Sequence, residues 1–353
     1  MTRIIYGVQG DGFGHSARSS AIIEHLLNKG HEVRVLTSGK GMQLLSKYKP
    51  IQIFGLRMSF KDQRVDEKET LRENLERGGL EARETLRSII KLLKEFKPEI
   101  AITDFEPFIP FAARLIGIPF ISINHQHILE ATKVEYPYSR HDEYVLARNI
   151  VANMYWFADH YYVSSFYAPQ LRKRYEKRAT IVGPILREEI TCLKPSTGSH
   201  VLAYAMHPEQ DQTLKILSKL GIKTVAYGFN KGSLKNITYK KTGTKEFFQD
   251  LASAKAVLGT GGFMLPSESL YLGKPYYANP IPGQFEQYVN GYYLEKLGYG
   301  LMDEQPTEKR IAQFLNGLDY FRKNIKNDSA KFKGNKVLFN LIDQKITTLQ
   351  KKL

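Results

Sequence analysis

The chain has 353 residues, 42% hydrophobic and 25% charged, which is an ordinary globular profile with room for two domains. No run approaches the roughly 20 apolar residues of a membrane span; the best candidate, residues 108–123, is broken by Pro110, Arg114 and Pro119. Against 36 acidic residues stand 51 basic ones, a net charge of +15 that favours anionic partners such as a nucleotide diphosphate or an anionic leaflet. Basic clusters at Arg172 to Arg178 and in the C-terminal lysines lack the aromatic-plus-basic pattern of a nucleic-acid module, so nucleic acid is not the expected partner. The single cysteine, Cys192, excludes an intrachain disulfide and a thiolate metal cluster. The N-terminus runs into a glycine loop instead of a cleavage site, so the cytoplasm is the expected compartment.

Short apolar runs alternate with helical patterns, the signature of α/β domains with parallel sheets. Residues 3–8 read as the first strand, 16–29 as the first helix and 32–37 as the second strand. Residues 66–95 have helical periodicity interrupted by Gly78 and Gly79. A strand at 100–103 leads to Asp104, and another at 119–123 ends in Asn124, His125, Gln126 and His127. Composition lapses into linker-like residues around 183–199. A second round then begins, with a strand at 200–205, a helix near 209–219, and strands at 222–227 and 255–258. The expected division is an N-terminal domain at 1–190, a linker at 191–199, a second domain at 200–325 and a basic helical segment at 326–353.

Gly10, Gly12 and Gly14 lie in a loop that follows a strand and opens a helix, where exposed backbone amides favour anionic or polar ligands. A nicotinamide or flavin site would carry a carboxylate at the end of the next strand, but Val33 to Ser38 has none. His15, at the tip of this turn, is the residue suited to proton transfer near neutral pH. Asp104 could orient its ring, and it could equally serve as a helix cap. Asn124, His125 and His127 lie at a strand's carboxyl end, where ligands of open α/β sheets bind, and either acceptor contact or turn chemistry would account for them.

The strongest pattern is at 259–290. Gly261 and Gly262 precede a helix carrying Glu268; Gly273-Lys274-Pro275 follows, and Glu286, Gln287 and Asn290 open the next helix. This stretch resembles the donor half of a GT-B glycosyltransferase in the UDP-glycosyltransferase group. That group includes the lipid-intermediate N-acetylglucosaminyltransferase of peptidoglycan synthesis and the teichoic-acid-type glycosyltransferases. The glycine loop with His15, residues 103–107 and Val182-Gly183-Pro184 fit the same families.

The resemblance implies an α/β fold of two Rossmann-like parallel-sheet domains facing a central cleft, the N-terminal one on the acceptor side. It implies an inverting, metal-independent hexosyl transfer from a nucleotide-sugar co-substrate, a UDP-sugar, to a glycan or lipid-linked acceptor, with no cofactor. Under it His15 is the base and Asp104 its partner. Gly261 and Gly262 turn the backbone onto the donor diphosphate, Glu268 grips the ribose, Glu286 and Gln287 meet the sugar, and Gly12, Gly14 and Asn290 complete the donor-binding set. A carboxylate suits the ribose because it accepts two hydroxyl donors at once. The families' phosphate-holding turn after the first strand of the second domain is replaced here by Ala205 to Glu209, where His207 could contact phosphate. A lipid-linked or cell-envelope acceptor would place the enzyme at the inner face of the membrane. A sugar-nucleotide 2-epimerase of the same fold and a non-catalytic nucleotide-sugar or polyanion-binding protein are the rivals.

Overall fold

The computed structural model describes residues 1–55, 59–61, 64–65, 67–155, 157–205, 211–230, 232–243 and 245–350. They form two units, one from Met1–Lys61, Val65–Arg187 and Gly334–Leu353, the other from Asp62–Arg64 and Glu188–Lys333. His207 lies outside the described residues.

The first unit opens with β1 (Arg3–Val8), β2 (Glu32–Thr37) and β3 (Ile51–Gln52), and a two-stranded ribbon of β4 (Phe60–Lys61) and β5 (Arg64–Val65) follows along the chain. Then come β6 (Ile100–Asp104), β7 (Phe120–Asn124), β8 (His160–Ser164) and β9 (Ala179–Val182). The main sheet has the order β3-β2-β1-β6-β7-β8-β9 with parallel pairing throughout. Parallel neighbours require crossover connections, and helices covering both faces explain why every residue of β6 and β7 is buried.

The first crossover helix, Gly14–Asn28, buries Ile22, Ile23 and Leu26 toward the sheet, yet its first turns bury Ser16, Arg18 and Ser19 instead. The change from an apolar to a polar stripe marks where the core gives way to a site. The expected interruption at Gly78 and Gly79 does not occur. One helix runs from Glu67 to Phe96, its 30 residues anchored by buried Ile89, Leu93 and Phe96. Two glycines, at about 1 kcal/mol each relative to alanine, do not break a helix held by that packing.

The second unit contains β10 (Val201–Tyr204), β11 (Thr224–Tyr227), β12 (Ile237–Lys240), β13 (Ala256–Gly259), β14 (Tyr276–Ala278) and β15 (Gly300–Met302). Their order, β12-β11-β10-β13-β14-β15, is also parallel throughout. Its core gathers Val201, Leu214, Leu217, Leu258, Tyr277, Ile311 and Phe314.

Two segment assignments are corrected. The chain passes from one unit to the other at Arg187–Glu188, ahead of the expected linker. Residues of that stretch are bonded to the second unit: Ser196 N–H to the Ala252 carbonyl (3.0 Å) and Gly198 N–H to that of Ser253 (2.7 Å). The basic segment expected at 326–353 is divided. Tyr299 donates to Asp328 (2.6 Å) and packs on buried Phe332, which keeps the first part in the second unit. The helix Asn335–Gln350 returns to the first unit, because Leu338, Ile342 and Ile346 form an apolar stripe that joins the core of Ile22 and Leu26.

Candidate functional site

In both sheets the strand order reverses at one position, between β1 and β6 and between β10 and β13, and crevices at such points receive ligands at the strands' carboxyl ends. The β1/β6 register pairs Val8 with Asp104 and so brings the glycine loop beside a residue 89 positions away from His15. Gly12 turns this loop with φ at +82°, a conformation that disfavours residues with a Cβ.

Asp104 is fully buried, a costly place for a carboxylate unless it is paired. Four donors surround it. His15 Nδ1 lies 2.8 Å from Oδ1, Arg18 contributes Nη2 to Oδ1 (2.6 Å) and Nε to Oδ2 (3.0 Å), and Ser19 Oγ donates to Oδ2 (2.9 Å). Burial alone would raise the carboxyl pKa, but the charges of Arg18 and His15 and their hydrogen bonds hold it below the usual range. His15 keeps 15% of its side chain exposed and stacks on Phe105, whose φ of +57° is unusual for a non-glycine residue. Its Nε2 makes no hydrogen bond among the described residues.

Two residues on, buried Glu106 accepts from the amides of Phe108 (2.7 Å) and Ile109 (2.9 Å) and caps the helix Phe108–Leu115; burial pushes its carboxyl up to about 7.

At the end of β7, Asn124, His125 and His127 are buried. His127 has both ring nitrogens committed, Nδ1 to Glu130 (2.6 Å) and Nε2 to Ser122 (2.7 Å). Asn124 donates to Ser122 (3.2 Å) and accepts the His127 amide (3.0 Å). His125 Nδ1 donates to the Ser164 carbonyl (2.7 Å). Of the two readings open for these residues, acceptor contact and turn chemistry, the internal bonds favour the second. The basic run at 172–178 is also partly structural, with Arg172 donating to the Thr132 carbonyl (3.0 Å) and Arg178 to that of Ala158 (2.6 Å).

In the second unit, Gly259 ends β13 and the helix Met264–Tyr271 follows. Gly261 must be glycine, since a Cβ there would stand 2.3 Å from the Gln287 carbonyl oxygen, whereas at Gly262 its nearest neighbour would be Thr260 Oγ1 at 3.6 Å. Glu268 is buried in the second turn of this helix. Glu286 and Gln287 lie in the first turn of the helix Phe285–Lys296. Gln287 Oε1 accepts from Ile281 N–H (3.1 Å). Asn290, which the resemblance puts in the donor-binding set, is buried and donates to the Gly261 carbonyl (3.0 Å), a contact that braces the glycine turn. The structure thus joins His15 to Asp104, and Gly261 to Gln287 and Asn290. Arg18 and Ser19 escaped the sequence reading, although polar residues at i+3 and i+4 from His15, where the helix should be apolar, were the available signal.

A family model described as glycosyl transferase family 1 matches residues 2–319. An uncharacterized glycosyltransferase of Methanosarcina acetivorans is 25% identical over 347 residues, spanning 88% of this chain and 87% of its own. One from Methanosarcina mazei is 24% identical over 350 residues, with the same coverage of 88% and 87%. Among solved structures, the kitacinnamycin glycotransferase superposes with a TM-score of 0.69 at 15% identity, over 97% of this chain and 98% of that one. MurG of Acinetobacter baumannii superposes at 0.62 with 13% identity, over 98% and 100%. With the two parallel sheets, these likenesses establish the GT-B fold.

Proposed function

The chain belongs to glycosyl transferase family 1, and from that premise we propose that it moves a hexose from a UDP-sugar to an acceptor hydroxyl with inversion and without a metal. The observation that carries this reading is His15, held by Asp104 at the β1/β6 switch point with Nε2 uncommitted. The carboxylate accepts the proton on Nδ1, which leaves a lone pair on Nε2 to take the acceptor hydroxyl's proton. Loss of that proton as the anomeric carbon parts from the diphosphate is a direct displacement, hence inversion.

In this reading the second unit holds the donor. The amides at Gly261, Gly262 and the start of the helix Met264–Tyr271 meet the negative charge that grows on the leaving diphosphate. Glu268 takes the ribose hydroxyls, and Glu286 and the free amide of Gln287 take the sugar. No helix among the described residues is long and apolar enough to cross a membrane. The net charge of +15 suits an anionic donor and peripheral attachment to an anionic leaflet, which favours a lipid-linked or envelope glycan acceptor.

The test is mass spectrometry of products after incubation with UDP- and dTDP-sugars, with and without lipid-linked acceptors. Acceptor-dependent transfer that His15→Ala abolishes, with donor binding retained, is the expected result. Conversion of the donor without an acceptor would replace the reading with an epimerase. Donor binding with neither transfer nor hydrolysis would reduce the protein to a binding module.

A further inference from the structure

We propose that Arg18 is a positioning residue whose guanidinium, clamped on Asp104, decides which nitrogen of His15 carries the proton. A carboxylate offers about four lone-pair positions. Here Arg18 Nε and Ser19 Oγ occupy Oδ2, while Arg18 Nη2 occupies Oδ1 and leaves one position, which His15 Nδ1 fills. The two-pronged contact stops the carboxylate from rotating, which a single-point contact would not do. An acceptor fixed 2.8 Å from Nδ1 requires a proton on that nitrogen, and Nε2 is left as the basic one.

The guanidinium has a second effect. Arg18 Nη2 lies 3.3 Å from His15 Nδ1, and with Nδ1 protonated this is a charge contact, not a hydrogen bond. Its positive charge balances the buried carboxylate of Asp104. The groups facing this pair are Arg18 and Ser19 from the helix, Tyr6 from β1 and Phe105 beside the ring. Arg18 is 2% exposed and serves no solvent-facing purpose. The helix places it one turn beyond His15, so ring and clamp share one rigid backbone.

The catalytic consequence rests on His15 being the base; the tautomer assignment does not. Long-range nitrogen–proton correlation spectra of the histidine side chains, with His15 identified through His15→Gln, would be followed from about pH 5 to 9. The wild-type protein is expected to hold the Nδ1-protonated neutral ring. In Arg18→Met, with nothing to stop the carboxylate from rotating, the two neutral tautomers should mix. In that variant kcat should fall roughly 100-fold with donor KM unchanged. Arg18→Lys keeps the charge but not the fork, so it too should mix the two neutral tautomers. If Arg18→Met does not fold, the lysine variant decides alone. An unchanged tautomer in whichever variant folds would overturn the proposal. Should His15→Ala retain transfer, the base reading fails, and the spectra still decide the assignment of Arg18.

Discussion

Two histidine–carboxylate pairs stand near the carboxyl ends of neighbouring strands in the first unit. His15 meets Asp104 at 2.8 Å and His127 meets Glu130 at 2.6 Å, each through Nδ1. The first ring is 15% exposed, whereas the second is completely buried, with Ser122 on Nε2 and Tyr175 on the other oxygen of Glu130 (2.9 Å). The local chemistry is the same. What differs is whether the far nitrogen has a partner, and that separates a candidate base from a structural polar knot.

Substitutions should separate the pairs. His15→Ala should lower kcat by about 10²- to 10⁴-fold and shift stability by less than about 1 kcal/mol, since Asp104 retains Arg18 and Ser19. Steady-state rates beside urea melts would check this, and equal losses of rate and stability would erase the contrast. His127→Ala should do the reverse. It leaves Glu130 buried with one partner fewer, which costs about 3 kcal/mol in a urea melt. The folded fraction should retain turnover, and a selective rate loss would return His127 to the site.

In the second unit, Glu268→Ala should weaken donor binding roughly 10- to 100-fold, the scale of one or two charge-assisted hydrogen bonds, as read by calorimetry. An unchanged dissociation constant would remove Glu268 from the ribose.

The smallest effect compares Asp104 with Glu106. Asp104 is held below its ordinary range, so its stabilisation is present above the unfolded value near 3.9 and lost as pH falls through the folded value. Glu106 is pushed up to about 7, so it binds its proton more tightly folded than unfolded. Stability from this group is full below its unfolded value of about 4.3 and declines as pH rises toward about 7. Melts between those limits should show the decline in the wild-type protein and a flatter profile in Glu106→Gln.

Strand and helix positions were legible in the sequence because apolar periodicity and turn residues are local. Residues 3–8 and 32–37 read as strands and are β1 and β2, and Glu268 read as a helical carboxylate and is one. The passage between units was misplaced because Pro195 and its neighbours look like a linker while their backbone is bonded to the second unit. The role of the C-terminal helix was hidden as well, since a stripe of Leu338, Ile342 and Ile346 does not say which core it joins.

The sequence alone determined the alternation of strands and helices, the glycine turns, and which residue types could carry proton transfer and donor binding. Only the tertiary structure decided that His15 keeps an uncommitted nitrogen while His125 and His127 do not, that Asn290 braces the turn at Gly261, and that Arg18 holds Asp104. Those outcomes depend on parallel register and burial, which pair residues far apart along the chain, whereas local patterns reach only a few residues in either direction.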